Sequence, residues 1–434
     1  MKTDAATIVV GRGSANASLT TADLASIVGP ALQEIPRGAR VLAVISDRTR
    51  DDNTAALFPV ISQELARMGA SRLDALVAQG THPPMVDADK RSKIGWGEAE
   101  IPLLGEIFDH HWDRSETLMT LGTLSASEVS ALTGGLIAES VDVRLNARVA
   151  DGSYDAVLVI GATVPHEVAG FAGGAKYFFP GVAGPELTHL THWLGALATI
   201  ERVIGRVETP TRRMIEAAAD LIPVPVVAFT SVMTRDGSGA HTRGLFAGDI
   251  RQTFRQAARI SQQVHVKYAG RRYRKVIAIL DEHYDELWVG GKASYKLGAI
   301  IEPGGELIIY APHLKHISIT HGRLIEKYGY APLEQVREMI EGSDELRGNL
   351  AVAAHLAHVS YGSTTTADGR VQPRYQITLA SSVPEETCRR VNLGFLDYRT
   401  FDPADYRSDP DTFVVDKAGR DLYLVQPESS ERQS

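Results

Sequence analysis

Four short stretches of the chain carry residue types that can do chemistry. Asp47 and Arg50 stand in DRTR (47–50), and Thr81 and His82 follow Gly80. His166 opens the run PHEVAGFAGGAKYFFPG (165–181), which passes through Gly170, Gly173 and Gly174 to Lys176. His189 and His192 lie three apart in THLTHW (188–193). Imidazoles titrate near neutrality, so each can serve as acid, base or metal ligand. Glycines let backbone N–H groups turn toward an anion without a Cβ in the way. A lysine beside such a concavity adds a fixed positive charge or, when desolvated, an amine nucleophile. Phe171, Tyr177, Phe178 and Phe179 would tie this run to a core, which favours a ligand loop over a plain flexible one. His189 and His192 share a helix face and could hold a metal together, but such a pair is more often a surface or capping feature. The same ambiguity attaches to DHHWDRS (109–115). No GxxxxGK[ST] is present, and GRGSAN (11–16) fails the last glycine of GxGxxG, so neither phosphate-loop pattern applies.

The elements that must position these residues follow from apolar patterning. VLAVISD (41–47), LDALVAQG (73–80), DAVLVIG (155–161) and PVPVVAFTS (223–231) read as buried strands. NTAALFPVISQELARMGA (53–70) has helical spacing, as does a long amphipathic segment over 247–264 that closes a first domain. Strands alternating with helices imply right-handed crossovers and a parallel sheet covered on both faces. Asp47, His82 and His166 then fall at the carboxyl ends of three separate strands, the edge where open α/β sheets bind ligands. YAGRRYR (268–274) reads as a linker. A second α/β alternation follows: KVIAIL (275–280), helical YKLGAII (295–301), ELIIYAP (306–312) and RYQITLA (374–380). FVVDKAGRDLYLV (413–425) reads as a hairpin turning at Lys417–Gly419. The expectation is a two-domain α/β protein with mainly parallel sheets, an amino-terminal domain over 1–270 and a carboxy-terminal domain over 271–434.

Composition bounds the function classes. At 434 residues the chain exceeds one ordinary core, and 44% hydrophobic residues are enough to fill two. The formal charge is −8, with lysines and arginines dispersed, so there is no basic stripe for nucleic acid or an anionic membrane. The single cysteine, Cys388, leaves no internal disulfide and points to a reducing compartment. The first twenty residues show no basic segment followed by a long apolar one, and no apolar run approaches the roughly 20 residues that span a bilayer. A cytoplasmic protein is the expectation.

Taken in order, DRTR, GTH (80–82), the PHxxxGFxGGxK block and the histidine of THW (191–193) resemble the nickel-dependent lactate racemase family. WVGGKASYKLGAIIEPGGELIIYAP (288–312) is similar to that family's second-domain helix and strand. The resemblance implies two α/β domains with the active site in the cleft between them. It also implies a nickel-pincer nucleotide cofactor, a pyridinium mononucleotide that binds nickel through a carbon and two sulfurs, and cofactor-maturation enzymes as partners. Residue by residue, it makes His82 and His166 the paired acid/base histidines and His192 the nickel ligand. Lys176 would contact the cofactor, with Asp47, Arg50, Gly173 and Gly174 beside it. Arg50, Tyr295 and Lys296 would meet the substrate.

The chemistry so implied is inversion at C2 of a 2-hydroxy acid. The C2 hydrogen leaves as hydride while a base takes the hydroxyl proton, and the planar keto acid accepts hydride on its other face. Each enantiomer then needs its own base. Asp51 and Pro83 depart from the family pattern, as do Lys296 and Ala299 in the places of a glutamine and a lysine; a hydroxy acid other than lactate, such as a sugar acid, fits these departures. Two other readings use the same residues. One is a zinc-dependent hydrolase or lyase liganded by His82, His166 and His192, and the other is a non-catalytic carrier of the nickel cofactor.

Overall fold

The computed structural model describes residues 9–426; residues 1–8, part of the amino-terminal stretch read above, lie outside the described residues. The chain packs as two compact units. One comprises Met1–Thr191 and Arg206–Val264, the other His192–Gly205 and His265–Ser434.

The first unit is built on a seven-stranded sheet. Its strands are β1 (Val10–Gly13), β2 (Arg40–Ser46), β3 (Arg72–Ala78), β4 (Leu104–Asp109), β5 (Ala156–Ala162), β6 (Val226–Asp236) and β7 (Gly239–Gly248), in the order β1-β7-β6-β5-β2-β3-β4. The strands from β6 across to β4 are parallel. The hairpin β6–β7 and the edge strand β1 add antiparallel pairs. Every residue of β5 is buried, as expected of a central parallel strand covered on both faces. Helix α1 (Thr21–Ala31) starts at a capping box made by Thr20 and Asp23. Helix α2 (Thr54–Met68) lays Leu57, Phe58, Ile61 and Leu65 on the sheet beside Val41, Ala43 and Ile45. Each such side chain contributes roughly 1.5–3 kcal/mol by leaving water. Gly69 ends the helix at φ 82°, a conformation that costs glycine little.

Chain order reverses between β2 and β5: the chain moves outward from β2 through β3 to β4, then returns to the other side of β2 at β5. At such a switch point the loops leaving the two strands part and open a crevice at their carboxyl ends.

The second unit has a five-stranded parallel sheet. After β8 (Val266–Ala269) come β9 (Tyr273–Ile279), β10 (Ile301–Ala311), β11 (Gln376–Ser381), β12 (Gly394–Phe395), β13 (Thr412–Val415) and β14 (Leu422–Val425). The sheet order is β12-β11-β10-β9-β13, and β8 pairs separately with β14. Three expectations change here. The segment 413–425 is not a hairpin: β13 pairs in parallel with β9 and β14 with β8. The expected linker 268–274 is largely strand, because Val266–Ala269 finds its partner near the end of the chain. The second compact unit takes up the chain at His265 and also includes 192–205. The expected helix 295–301 runs from Lys292 to Leu297, followed by a single tight turn over Gly298–Ile300. No helix among the described residues is long and apolar enough to cross a membrane.

Candidate active site

In the first unit, the ends of β2, β3 and β5 each deliver part of one cluster. Asp47 directly follows β2 and is 4% exposed. Its Oδ1 accepts from the Thr49 amide at 3.0 Å and the Thr49 hydroxyl at 2.6 Å. Its Oδ2 lies 2.6 Å from Nδ1 of His82, which follows β3. Burial by itself would raise the Asp47 pKa. The His82 hydrogen bond and charge, the Arg50 charge and the Thr49 hydrogen bond outweigh it, and hold the carboxyl well below the usual carboxylate range. Ionised Asp47 can only accept, so Nδ1 of His82 carries the hydrogen and Nε2 keeps the lone pair. His82 is thereby set as a base on a partly exposed side chain.

The DRTR turn is anchored from below. Lys93 donates from Nζ to the Arg50 carbonyl at 3.0 Å and pairs with Asp52 at 3.0 Å. Asp51 pairs with Arg235 at 3.1 Å, which gives the aspartate at that place a partner of its own.

The run after β5 folds back on itself. Pro165–His166 pairs antiparallel with Gly170–Phe171, and His166 is 5% exposed. Nδ1 of His166 accepts the Val168 amide hydrogen at 3.1 Å, and Glu167 Oε2 lies 3.7 Å from the same nitrogen. Phe171, Phe178 and Phe179 are fully buried, so the run is fastened to the core as expected.

The glycines also have a packing reason. A Cβ on Gly173 (φ 95°) would stand 2.3 Å from Thr163 Oγ1, and one on Gly170 (φ 80°) would stand 1.9 Å from the Arg206 carbonyl oxygen. Both point into protein, so they are glycines because the loop lies flat against what is behind it. Behind it is Arg212, on the helix α3 (Pro210–Ala219) and 1% exposed. Its Nη1 donates to the Gly173 carbonyl at 3.1 Å and its Nη2 to the Phe171 carbonyl at 2.5 Å. The guanidinium sits 3.9 Å from the Phe254 ring centroid. Burial pushes its pKa down to about 10, which leaves it a cation at neutral pH. With two carbonyls drawn inward, the loop presents its other edge outward, and Lys176 occupies the tight turn Gly174–Tyr177 that follows.

Two buried oxygens at these strand ends, Gln79 Oε1 and Thr163 Oγ1, find no hydrogen-bond partner among the described residues. Such atoms cost free energy unless something polar meets them. Thr163 Oγ1 lies behind Gly173, on the protein side of the loop; the Gln79 oxygen, a lysine, an arginine and a carboxylate–histidine pair are a donor and acceptor set that fits a polar mononucleotide.

The remaining expected residues lie in the second unit. His192 sits on the helix Pro185–Leu197, one residue past the unit boundary, while His189 precedes it. Tyr295 and Lys296 are each 3% exposed. Lys296 donates from Nζ to the Arg420 carbonyl at 3.2 Å. The Tyr295 hydroxyl meets His355 Nδ1 at 2.9 Å. Burial drives the His355 pKa well below its ordinary value, so its ring is neutral. The His355 ring also lies against Trp288 in a tilted contact, with centroids 4.1 Å apart. Neither His355 nor Arg212 was singled out from sequence. The signal for the first was two histidines, His355 and His358, inside the apolar helix Leu350–Ser360, buried from Ala351 onward; for the second there was none. His110, from the other histidine pair, is structural: it is 1% exposed and bonds the Ala183 carbonyl at 2.9 Å. No three His, Cys, Asp or Glu side chains among the described residues converge as a metal-ligand set.

Residues 14–203 match the family described as the lactate racemase N-terminal domain. A curated lactate racemase from Thermoanaerobacterium thermosaccharolyticum is 27% identical over 164 residues, which are 37% of this chain and 34% of that protein. The match therefore spans about a third of the curated relative. A crystal structure of a protein from Thermotoga maritima is 30% identical, with 94% of this chain and 99% of that one covered at a TM-score of 0.86. The lactate racemase apoprotein from T. thermosaccharolyticum covers 96% of this chain and 94% of its own at a TM-score of 0.70 and 17% identity, a likeness of fold.

Proposed function

We propose that this chain, which belongs to the lactate racemase family, is an isomerase that inverts C2 of a 2-hydroxy acid. The observation that carries the reading is the pair of buried Asp47 and partly exposed His82 at the β2/β5 switch point, with His166 and the Lys176 loop on the neighbouring strand end. His82 takes the substrate hydroxyl proton at Nε2, and Asp47 stabilises the imidazolium that forms. His166 serves the opposite face. Arg50, Tyr295 and Lys296 bind the substrate, with Arg50 supplying a fixed cation for its carboxylate.

The cofactor belongs to the same proposal. Lys176, Asp47, Arg50 and the Gly173–Gly174 turn would hold the nickel-pincer nucleotide, and His192 would ligate its nickel. When bound, that group would supply the acceptor for the C2 hydrogen as hydride. Gln79 gives a polar partner at the β3 end, as argued from its unpartnered oxygen. Lys296 and Ala299, in the places of a glutamine and a lysine, fit a hydroxy acid different from lactate.

The test is a chiral screen of 2-hydroxy acids and aldonates with protein matured by the cofactor pathway. Interconversion of C2 epimers with deuterium at C2 retained in the product is the expected result. Washout of that deuterium into solvent would overturn the hydride step, and inertness toward every member of the panel would overturn the racemase reading.

A further inference from the structure

The two histidines differ at Nδ1. His82 donates from Nδ1 to an ionised carboxylate. His166 accepts at Nδ1 from the Val168 amide, and since a backbone N–H only donates, neutral His166 keeps its one proton on Nε2. A ring in that state cannot take a proton at Nε2, nor can it release one there without becoming an imidazolate. Acting through Nε2 as base or as acid requires a hydrogen on Nδ1 in both cases. That hydrogen needs an acceptor, and the Val168 amide is not one. The Glu167 carboxylate is, with Oε2 3.7 Å from the same nitrogen on a side chain that is 15% exposed. A side-chain shift of about 1 Å brings the pair to the length of a charge-assisted hydrogen bond.

We propose that Glu167 is the positioning residue that switches His166 between tautomers, accepting its Nδ1 hydrogen so that Nε2 can take and return the substrate proton. Asp47 does the same for His82 as a standing contact, whereas Glu167 competes with a backbone amide. The protons balance. The resting ring gives its Nε2 proton to water and gains one from water at Nδ1, remaining neutral. Nε2 then takes the substrate hydroxyl proton, and the imidazolium so formed is held at Nδ1 by Glu167. The return step reverses this. The device makes the two faces of the site unequal, because one base is preset and the other has to be switched on.

The inference rests on the acid–base reading above, so its test has a readout apart from turnover. Nitrogen NMR of the histidine rings in the matured protein, at a pH where His166 is neutral, reports the share of each tautomer. Glu167→Gln should lower the Nδ1–H share of His166 roughly tenfold and leave His82 unchanged; Glu167→Ala should do the same. With an active hydroxy acid, Glu167→Gln should cut kcat by about ten- to a hundredfold while KM moves less than about twofold. Unchanged His166 tautomer populations in both variants would overturn the proposal. A tautomer shift in a protein that epimerises no hydroxy acid supports the switch and counts against the racemase reading instead.

Discussion

His82 Nδ1 lies 2.6 Å from Asp47 Oδ2, across the neighbouring carboxyl ends of β3 and β2. The contact joins a carboxylate held ionised in a buried place to a ring whose far nitrogen is thereby left basic. Asp47→Asn keeps the shape and removes the charge, and its amide can present an N–H where the ring needs an acceptor. We expect kcat for epimerisation to fall roughly a hundred- to ten-thousandfold, with circular dichroism and melting behaviour close to the parent. Steady-state kinetics on the purified variant checks this; near-parental kcat would remove Asp47 from the mechanism.

Arg212 holds the Lys176 loop from behind through the Phe171 and Gly173 carbonyls. Arg212→Met keeps much of the packing on Phe254 and leaves both carbonyls unpaired. The loss should be on the order of 3 kcal/mol, read from urea unfolding, and protease cleavage within 170–177 should become faster. A variant as stable as the parent, with an equally resistant loop, would show that the loop supports itself.

His110 gives the first unit an acid-sensitive point. Burial pushes its pKa down to about 4 from 6.5, and both ring nitrogens are occupied in the neutral form, one donating to the Ala183 carbonyl and the other facing the Asn146 amide. The unfolded chain therefore binds a proton that the fold refuses. Stability is fully present above about pH 6.5 and is lost as pH falls toward 4, by up to about 3 kcal/mol. Urea unfolding across this window should show that slope in the parent and lose most of it in His110→Gln. Equal slopes in the two proteins would place the acid sensitivity elsewhere.

The proposed nickel bond separates the two histidines of THLTHW. His192→Ala should purify without nickel after cofactor maturation, and His189→Ala should retain it, measured as metal per chain by mass spectrometry. The reverse pattern would move the ligand by one helical turn.

Much of this was legible in the residues themselves. Unbroken apolar runs such as VLAVIS and AVLVIGA can satisfy both faces only as central parallel strands, so β2, β3 and β5 and the chemistry at their ends followed from local pattern. The long PHxxxGFxGGxK block and the order of DRTR, GTH and THW carried the family. What tertiary structure decided were the pairings between residues far apart in the chain. The segment 413–425 alternates like a hairpin, but its two strands found better partners in β9 and β8, and no local rule sees those partners. Arg212 looks like any surface arginine until the fold places it, about forty residues downstream, against two loop carbonyls. The glycines of that loop also stand in close contact with Thr163 and Arg206, which no local pattern shows. Periodicity reports which way a side chain faces, because that depends on the backbone next to it. Which atom stands at hydrogen-bond distance depends on where the rest of the chain arrives: Asp47 on His82, or the Val168 amide against Glu167 on His166.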